Sequence, residues 1–136
     1  LTGFVFSRAV VLCALLLGGA KAFATECPDL TQAGLNQCSA AAYAKADEAL
    51  NRVYKEIQQR LRKDSPTSEL FVKAQKSWIA FRDAECCFSS SGVSGGSIYP
   101  MIYGLCLENV TKERTKRLQE YLSCEEGDLS CPLPVK

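Results

Sequence analysis

Histidine is absent from this chain. That one absence removes the usual general base, the Ser-His and Cys-His nucleophile pairs and the commonest zinc ligand. An enzyme is therefore not expected. No excess of basic residues provides the cationic footprint that nucleic-acid binding needs, since Lys and Arg number 16 against 15 Asp and Glu. No stretch alternates apolar and polar residues over a useful length, so the chain does not read as β-sheet. Its apolar runs also fall short of the roughly 20 residues that a membrane span requires.

What is present begins with Arg8, the run "AVVLCALLL", Gly18-Gly19 and "AFA" ending at Ala24. A basic start, a short apolar stretch and a small-x-small site make a secretory signal peptide, with cleavage expected after Ala24. Residues 1–24 are then the signal, and residues 25–136 form one small domain with one core. Cys13 lies inside the apolar run rather than at its end, so no membrane anchor is expected. Arg8 and Lys21 leave with the signal, which turns the formal net charge of +1 into −1. The expected location is periplasmic or secreted.

Export takes the chain into an oxidising compartment, where cysteines read first as a disulfide framework. After the loss of Cys13 these are Cys27, Cys38, Cys86, Cys87, Cys106, Cys124 and Cys131, an odd set that leaves one thiol over.

Apolar and small residues recur in steps of three and four at Leu35, Cys38, Ala42, Ala46, Leu50, Val53, Ile57 and Leu61, which marks a long amphipathic helix. Its start lies at Thr31 or nearer Leu35, and "KDSPTSE" ends it. A second helix is expected with Ser65 as cap and Pro66 at the first helical position. Its stripe runs Leu70, Ala74, Trp78, Phe81, Glu85 and Phe88. The loop 89–97 stops it, and a third helix runs from about Pro100 to Leu122, with Leu107, Val110, Leu118 and Tyr121 inward. Lys112, Arg114, Lys116 and Arg117 favour its later turns by opposing the helix dipole. The class is all-α, a three-helix antiparallel bundle with interhelical disulfides.

That arrangement gathers Cys27, Cys38, Cys86, Cys87 and Cys106 at one end. Neighbours on a helix point about 100° apart. Cys86 is expected to bridge to the first or third helix, and Cys87, on the side of Lys76, Ala80 and Asp83, to be the leftover thiol. Cys124 and Cys131 are expected to pair across the acidic turn of Glu125, Glu126 and Asp128, while the remaining connectivity stays open. Without Cys-x-x-Cys spacing the thiol does not read as a redox centre, and the sequence calls for no metal and no cofactor.

Several of these features coincide with a known family. "C-x10-C" at Cys27 and Cys38, "LNRVY" from Leu50, "AQKSWIAFRDAEC" from Ala74 to Cys86, "GGS" from Gly95, Cys106, and "T-x2-R-x3-L" at Thr111, Arg114 and Leu118 together resemble the LprI-like lysozyme-inhibitor domain. The resemblance implies a small, helical, exported bacterial envelope protein that binds and sterically blocks a peptidoglycan-cleaving, lysozyme-like glycosidase. The alternative is an envelope interaction or structural protein without inhibitory activity.

Gln75, Trp78, Arg82, Asp83 and Arg114 carry the more specific motifs. Trp78 and Arg82 are typical interface anchors, but the tryptophan also sits on the apolar stripe. It is expected in the core, with Arg82 bridging a carboxylate on another helix, Asp83 solvated, and Gln75 and Asn51 hydrogen-bonded internally. The better binding element is the loop of Ser89, Ser90, Ser91, Gly92, Ser94, Gly95, Gly96 and Ser97, small enough to enter a cleft. Its hydroxyls can donate to the paired carboxylates of a glycosidase.

Overall fold

The computed structural model describes residues 27–133, so the expected signal peptide lies outside the described residues. Three helices follow one another: α1 (Gln32–Arg60), α2 (Ser65–Ser89) and α3 (Tyr99–Leu122), with a short 3-10 turn at Ser91–Val93. No strand occurs among the described residues, and none of their helices is long and apolar enough to cross a membrane.

Each start has a local cause. Thr31 holds an extended backbone, and its hydroxyl accepts from the Gly34 N–H at 3.1 Å. Asp29 folds back on the same turn, its carboxylate accepting from the Thr31 N–H at 2.9 Å. These bonds, first from the Thr31 backbone and then from its side chain, lower the Asp29 pKa. Only glycine fits at position 34, because a Cβ there would lie within 2.5 Å of the Asp29 backbone oxygen. The cap of α2 is Asp64, whose carboxylate accepts from the Thr67 N–H at 3.2 Å, rather than Ser65. The two residues are adjacent and both competent, and Ser65 already belongs to the first turn.

The chain runs up, down and up, so α1 and α3 are parallel neighbours with α2 antiparallel to both. Three contacts set the register of α1 on α3. Asn36 Nδ2 donates to the Ser97 carbonyl at 3.0 Å, Ser39 rests against Gly104, and Arg60 Nη1 donates to the Leu122 carbonyl at 3.1 Å, satisfying one of the open acceptors at the α3 end. The two ends of the bundle are built differently. Towards the α1 C-terminus, Leu50, Ile57, Leu61, Leu118 and Leu133 form the apolar core. Towards the other end the buried groups are mostly small, Ser39, Cys86, Ser90, Gly104 and Thr111, with Leu107 the large apolar side chain among them.

Close approach at that small-residue end makes a prediction. A Cβ on Gly104 would meet Ser39 Oγ at 2.9 Å and its Cβ at 3.2 Å. Gly104→Ala should therefore cost about 1–3 kcal/mol of unfolding free energy through overpacking, although alanine is the better helix former. An unchanged or raised denaturation midpoint would show that the helices separate freely there.

The outward face of α2 departs from the sequence expectation. Leu70, Phe81 and Phe88 are exposed, Phe88 to 76 %. The face turned inward carries Phe71, Gln75, Trp78, Arg82 and Cys86 instead. Interhelix contact along α2 thus mixes aromatic side chains with a buried amide and a buried cation, while Leu70, Phe81 and Phe88, which hydropathy would place inside, stand outside it.

Candidate functional site

The exposed loop between α2 and α3 is rooted from both sides. At its base, the disulfide Cys86–Cys106 joins α2 to α3, and Cys86 is fully buried. Ser90 is buried and turns its hydroxyl back onto the Cys86 carbonyl at 2.6 Å, while Ser89 Oγ donates to the same carbonyl at 3.3 Å. Inside the loop, Val93 N–H bonds Ser90 O, Ser94 N–H bonds Ser91 O and Gly96 N–H bonds Val93 O, all at 3.0–3.1 Å. Gly95 supplies the one positive φ of the loop, +77°. At the far root, Ser97 gives its carbonyl to Asn36 of α1.

The cysteines of α1 brace the same end. Cys27–Cys38 pins the segment before α1 onto its second turn, and Cys124–Cys131 closes the tail at the opposite end. The loop serines therefore fall into two groups. Ser89 and Ser90 spend their hydroxyls on the scaffold, whereas Ser91, Ser94 and Ser97 are exposed beside Gly92, Gly95 and Gly96. Nothing would lie within 4 Å of a Cβ at Gly92 or Gly95, so the tip stands clear of the body. A loop held this way loses little conformational freedom on entering a cleft.

The residues of the specific motif come together as one cluster beneath α2. Arg82, 8 % exposed, forms salt bridges to Asp83 at 2.8 Å and to Asp47 of α1 at 3.7 Å. Its guanidinium lies over Trp78 at 5.3 Å and over Tyr43 of α1 at 5.5 Å. Arg114 of α3 covers Trp78 at 5.7 Å and donates through Nε to Gln75 Oε1 at 3.1 Å. Burial pulls the Arg114 guanidinium below its ordinary value, with Arg117 nearby acting in the same direction. The cluster links all three helices.

Asp83 is engaged with Arg82 rather than merely solvated. Asn51 is exposed, and its amide reaches only Asp47 one turn back, at 2.9 Å. Sequence reasoning missed Tyr43 and Asp47, although their spacing places them on one face of α1, offering an aromatic and a charge to a cation opposite.

Cys87 is the one free cysteine among the described residues, and it is exposed. Tyr103 of α3 is its neighbour, with a pKa raised by burial first and then by Cys87. Alkylation of the oxidised 25–136 chain should therefore add one label, placed at Cys87 by peptide mapping. A label on Cys124 or Cys131 would mean that the tail disulfide is not formed. Among the described residues no group of three or more Cys, Asp or Glu side chains is placed to hold a metal ion.

Comparison with known proteins adds a family. The family described as "Lysozyme inhibitor LprI" matches residues 24–118, a stretch that includes α1, α2, the loop and most of α3. An uncharacterized protein of Rhizobium meliloti (strain 1021) is 29 % identical over 109 residues, covering 72 % of this chain and 78 % of the relative. No solved structure matches the chain significantly.

Proposed function

Because the chain belongs to the LprI lysozyme-inhibitor family, we propose that it is an exported binding protein that blocks a lysozyme-like glycosidase by occlusion, with no chemistry of its own. The observation that carries this reading is the loop. Its tip is exposed and free of bulky side chains, and its roots are a buried disulfide, a buried serine and a hydrogen bond from the Asn36 amide of α1. Such a wedge suits the groove in which a lysozyme holds its two catalytic carboxylates. The hydroxyls of Ser91, Ser94 and Ser97 are the donors offered to them. The proposed setting is periplasmic or extracellular, with the target's peptidoglycan substrate at hand.

The test is a titration of the oxidised 25–136 chain against cell-wall lysis by chicken-type, goose-type and invertebrate-type lysozymes, with binding recorded in parallel. Inhibition should saturate near one equivalent for at least one type. Replacing residues 91–96 with an unrelated linker of equal length should weaken inhibition at least about 10-fold, a loss of ~1.4 kcal/mol. The melting temperature should stay nearly unchanged, because the anchors Cys86, Ser90, Ser97 and Cys106 are untouched. Inhibition that survives the swap would remove the loop from the mechanism.

One observation favours a second reading, an envelope interaction protein that inhibits nothing. Leu70, Phe81 and Phe88 are exposed along α2, and apolar side chains standing outward along one helix suit a flat partner surface better than a cleft. Binding to an envelope protein without loss of lysozyme activity, abolished by Phe81→Ser with Phe88→Ser, would establish that reading.

A further inference from the structure

At the end of the bundle away from the loop, a cavity of about 240 Å³ opens between the three helices and the tail. Ile57 of α1, Leu61 just after it, Leu70, Phe71 and Ala74 of α2, and Leu133 of the tail make its walls largely apolar, with Thr67 and Tyr121 adding hydroxyls. The one charged side chain in the lining is Arg114. Its orientation is fixed, because Nε donates to Gln75 and the guanidinium lies against Trp78. Among the described residues no carboxylate forms an ion pair with it.

A cation held half out of water without a counter-charge is costly, and an anion entering its cavity relieves that cost. Two constraints select the anion. The edge of the guanidinium opposite Nε carries two nitrogens in one plane, the arrangement that a carboxylate matches with two parallel hydrogen bonds. The walls demand hydrocarbon for the rest of the molecule. An apolar cavity of about 150 Å³ takes a benzene ring, so by the same ratio this one takes roughly eight to ten carbons.

We propose that the cavity binds an amphiphilic monocarboxylate, its carboxylate paired with Arg114 and its hydrocarbon body lying against Ile57, Leu61, Phe71 and Leu133. This site lies at the opposite end of the bundle from residues 91–96 and does not depend on the inhibitor reading.

Trp78 is the single tryptophan of the chain and is stacked by Arg114, so its fluorescence reports directly on the site. The oxidised 25–136 chain is titrated with octanoate and, separately, with octanol and octyl phosphate, with calorimetry in parallel. Octanoate should give a saturable signal at submillimolar concentration, with octanol at least about 10-fold weaker, as expected for loss of hydrogen bonds to a charged group. Arg114→Gln should weaken octanoate about 10- to 100-fold and erase the difference between acid and alcohol.

Ala74→Phe should fill the cavity and abolish binding. Should that variant fail to fold, Leu70→Glu at an exposed position sets a competing carboxylate beside the site and should do the same. No saturable signal up to millimolar octanoate, or octanol binding as tightly as octanoate, would overturn the proposal. Octyl phosphate binding more tightly than octanoate would overturn the carboxylate assignment. Binding that survives both Ala74→Phe and Leu70→Glu would place the ligand elsewhere. Binding seen only after deletion of residues 134–136 would give the cavity to the chain's own tail and equally overturn the proposal.

Discussion

Replacing Cys86 and Cys106 together by serine is expected to lower the melting temperature more than removing either of the other two disulfides. The bridge closes a separation of 20 residues, for which the chain-entropy account gives about 3 kcal/mol. In a domain of this size that corresponds to a fall of roughly 10–25 °C. Loop length alone does not single it out, since the separations of 11 and 7 closed by the other two give only slightly smaller entropies.

Position decides the order. Cys27–Cys38 and Cys124–Cys131 tie down terminal segments that can detach while the helices remain packed. Cys86–Cys106 joins two helices at the end of the bundle where apolar packing is thinnest. Removing it also loosens the root of the loop, so the inhibition proposed for the loop should weaken even well below the melting temperature. Thermal melts of the three double-serine variants decide the point. A larger fall for the Cys124/Cys131 pair would mean that the tail, and not the α2–α3 link, limits stability.

Arg82→Ala is the second large effect expected, about 2–3 kcal/mol of destabilisation. Breaking a buried ion pair can cost about 3–5 kcal/mol when the surviving charge is stranded. Here the side chains of Asp47 and Asp83 are 39 % and 49 % exposed and can be hydrated when the guanidinium goes, so the electrostatic part is discounted. What remains is lost packing, because the side chain fills the space between Trp78 of α2 and Tyr43 of α1.

Arg82→Lys should recover only part of the loss, since a lysine neither stacks flat on the rings nor forks between two carboxylates. Arg82→Met should recover more than Lys if volume is the larger share. Urea melts of the three variants separate these contributions. An Arg82→Ala midpoint within the error of wild type would remove the cluster from the account of how α2 is held.

The helices themselves were legible in the sequence because their stops are chemical. Thr31 caps α1, Pro66 sits in the first turn of α2 where proline is tolerated, and the serine- and glycine-rich stretch after Phe88 follows the end of α2. The inward stripe of α1 was equally plain, since Ala46, Leu50, Ile57 and Leu61 are all buried. On α2 the pattern misled. Hydropathy sorts Leu70, Phe81 and Phe88 inward; the bridge from Arg82 to a carboxylate of another helix was legible and is made to Asp47, but hydropathy cannot register that an arginine between two aromatic rings takes the interior position instead of those apolar side chains.

The α1–α3 seam escaped for a related reason. Ser39, Gly104, Thr111 and Thr115 are buried there, and small or weakly polar residues leave no hydrophobic period to read. In the candidate site, composition pointed to the whole stretch of serines and glycines. The division between hydroxyls spent on the scaffold and hydroxyls facing outward depends on where α2 ends, and composition does not carry that.

The parallel pairing of α1 with α3 also governs how the chain reaches its fold. Their fastening contacts span 61 residues from Asn36 to Ser97 and 62 from Arg60 to Leu122. In a sequential bundle each helix meets its main partner as soon as the next is made, whereas here the partner of the first helix is the last to emerge. Such long-range pairing raises the contact order above that of an ordinary helical hairpin and slows the search. A chain delivered across a membrane from its N-terminus would carry α1 into the new compartment with its seam uncovered until α3 arrived. Over that interval Cys27 and Cys38, close in sequence and independent of α3, are the pair best placed to oxidise first.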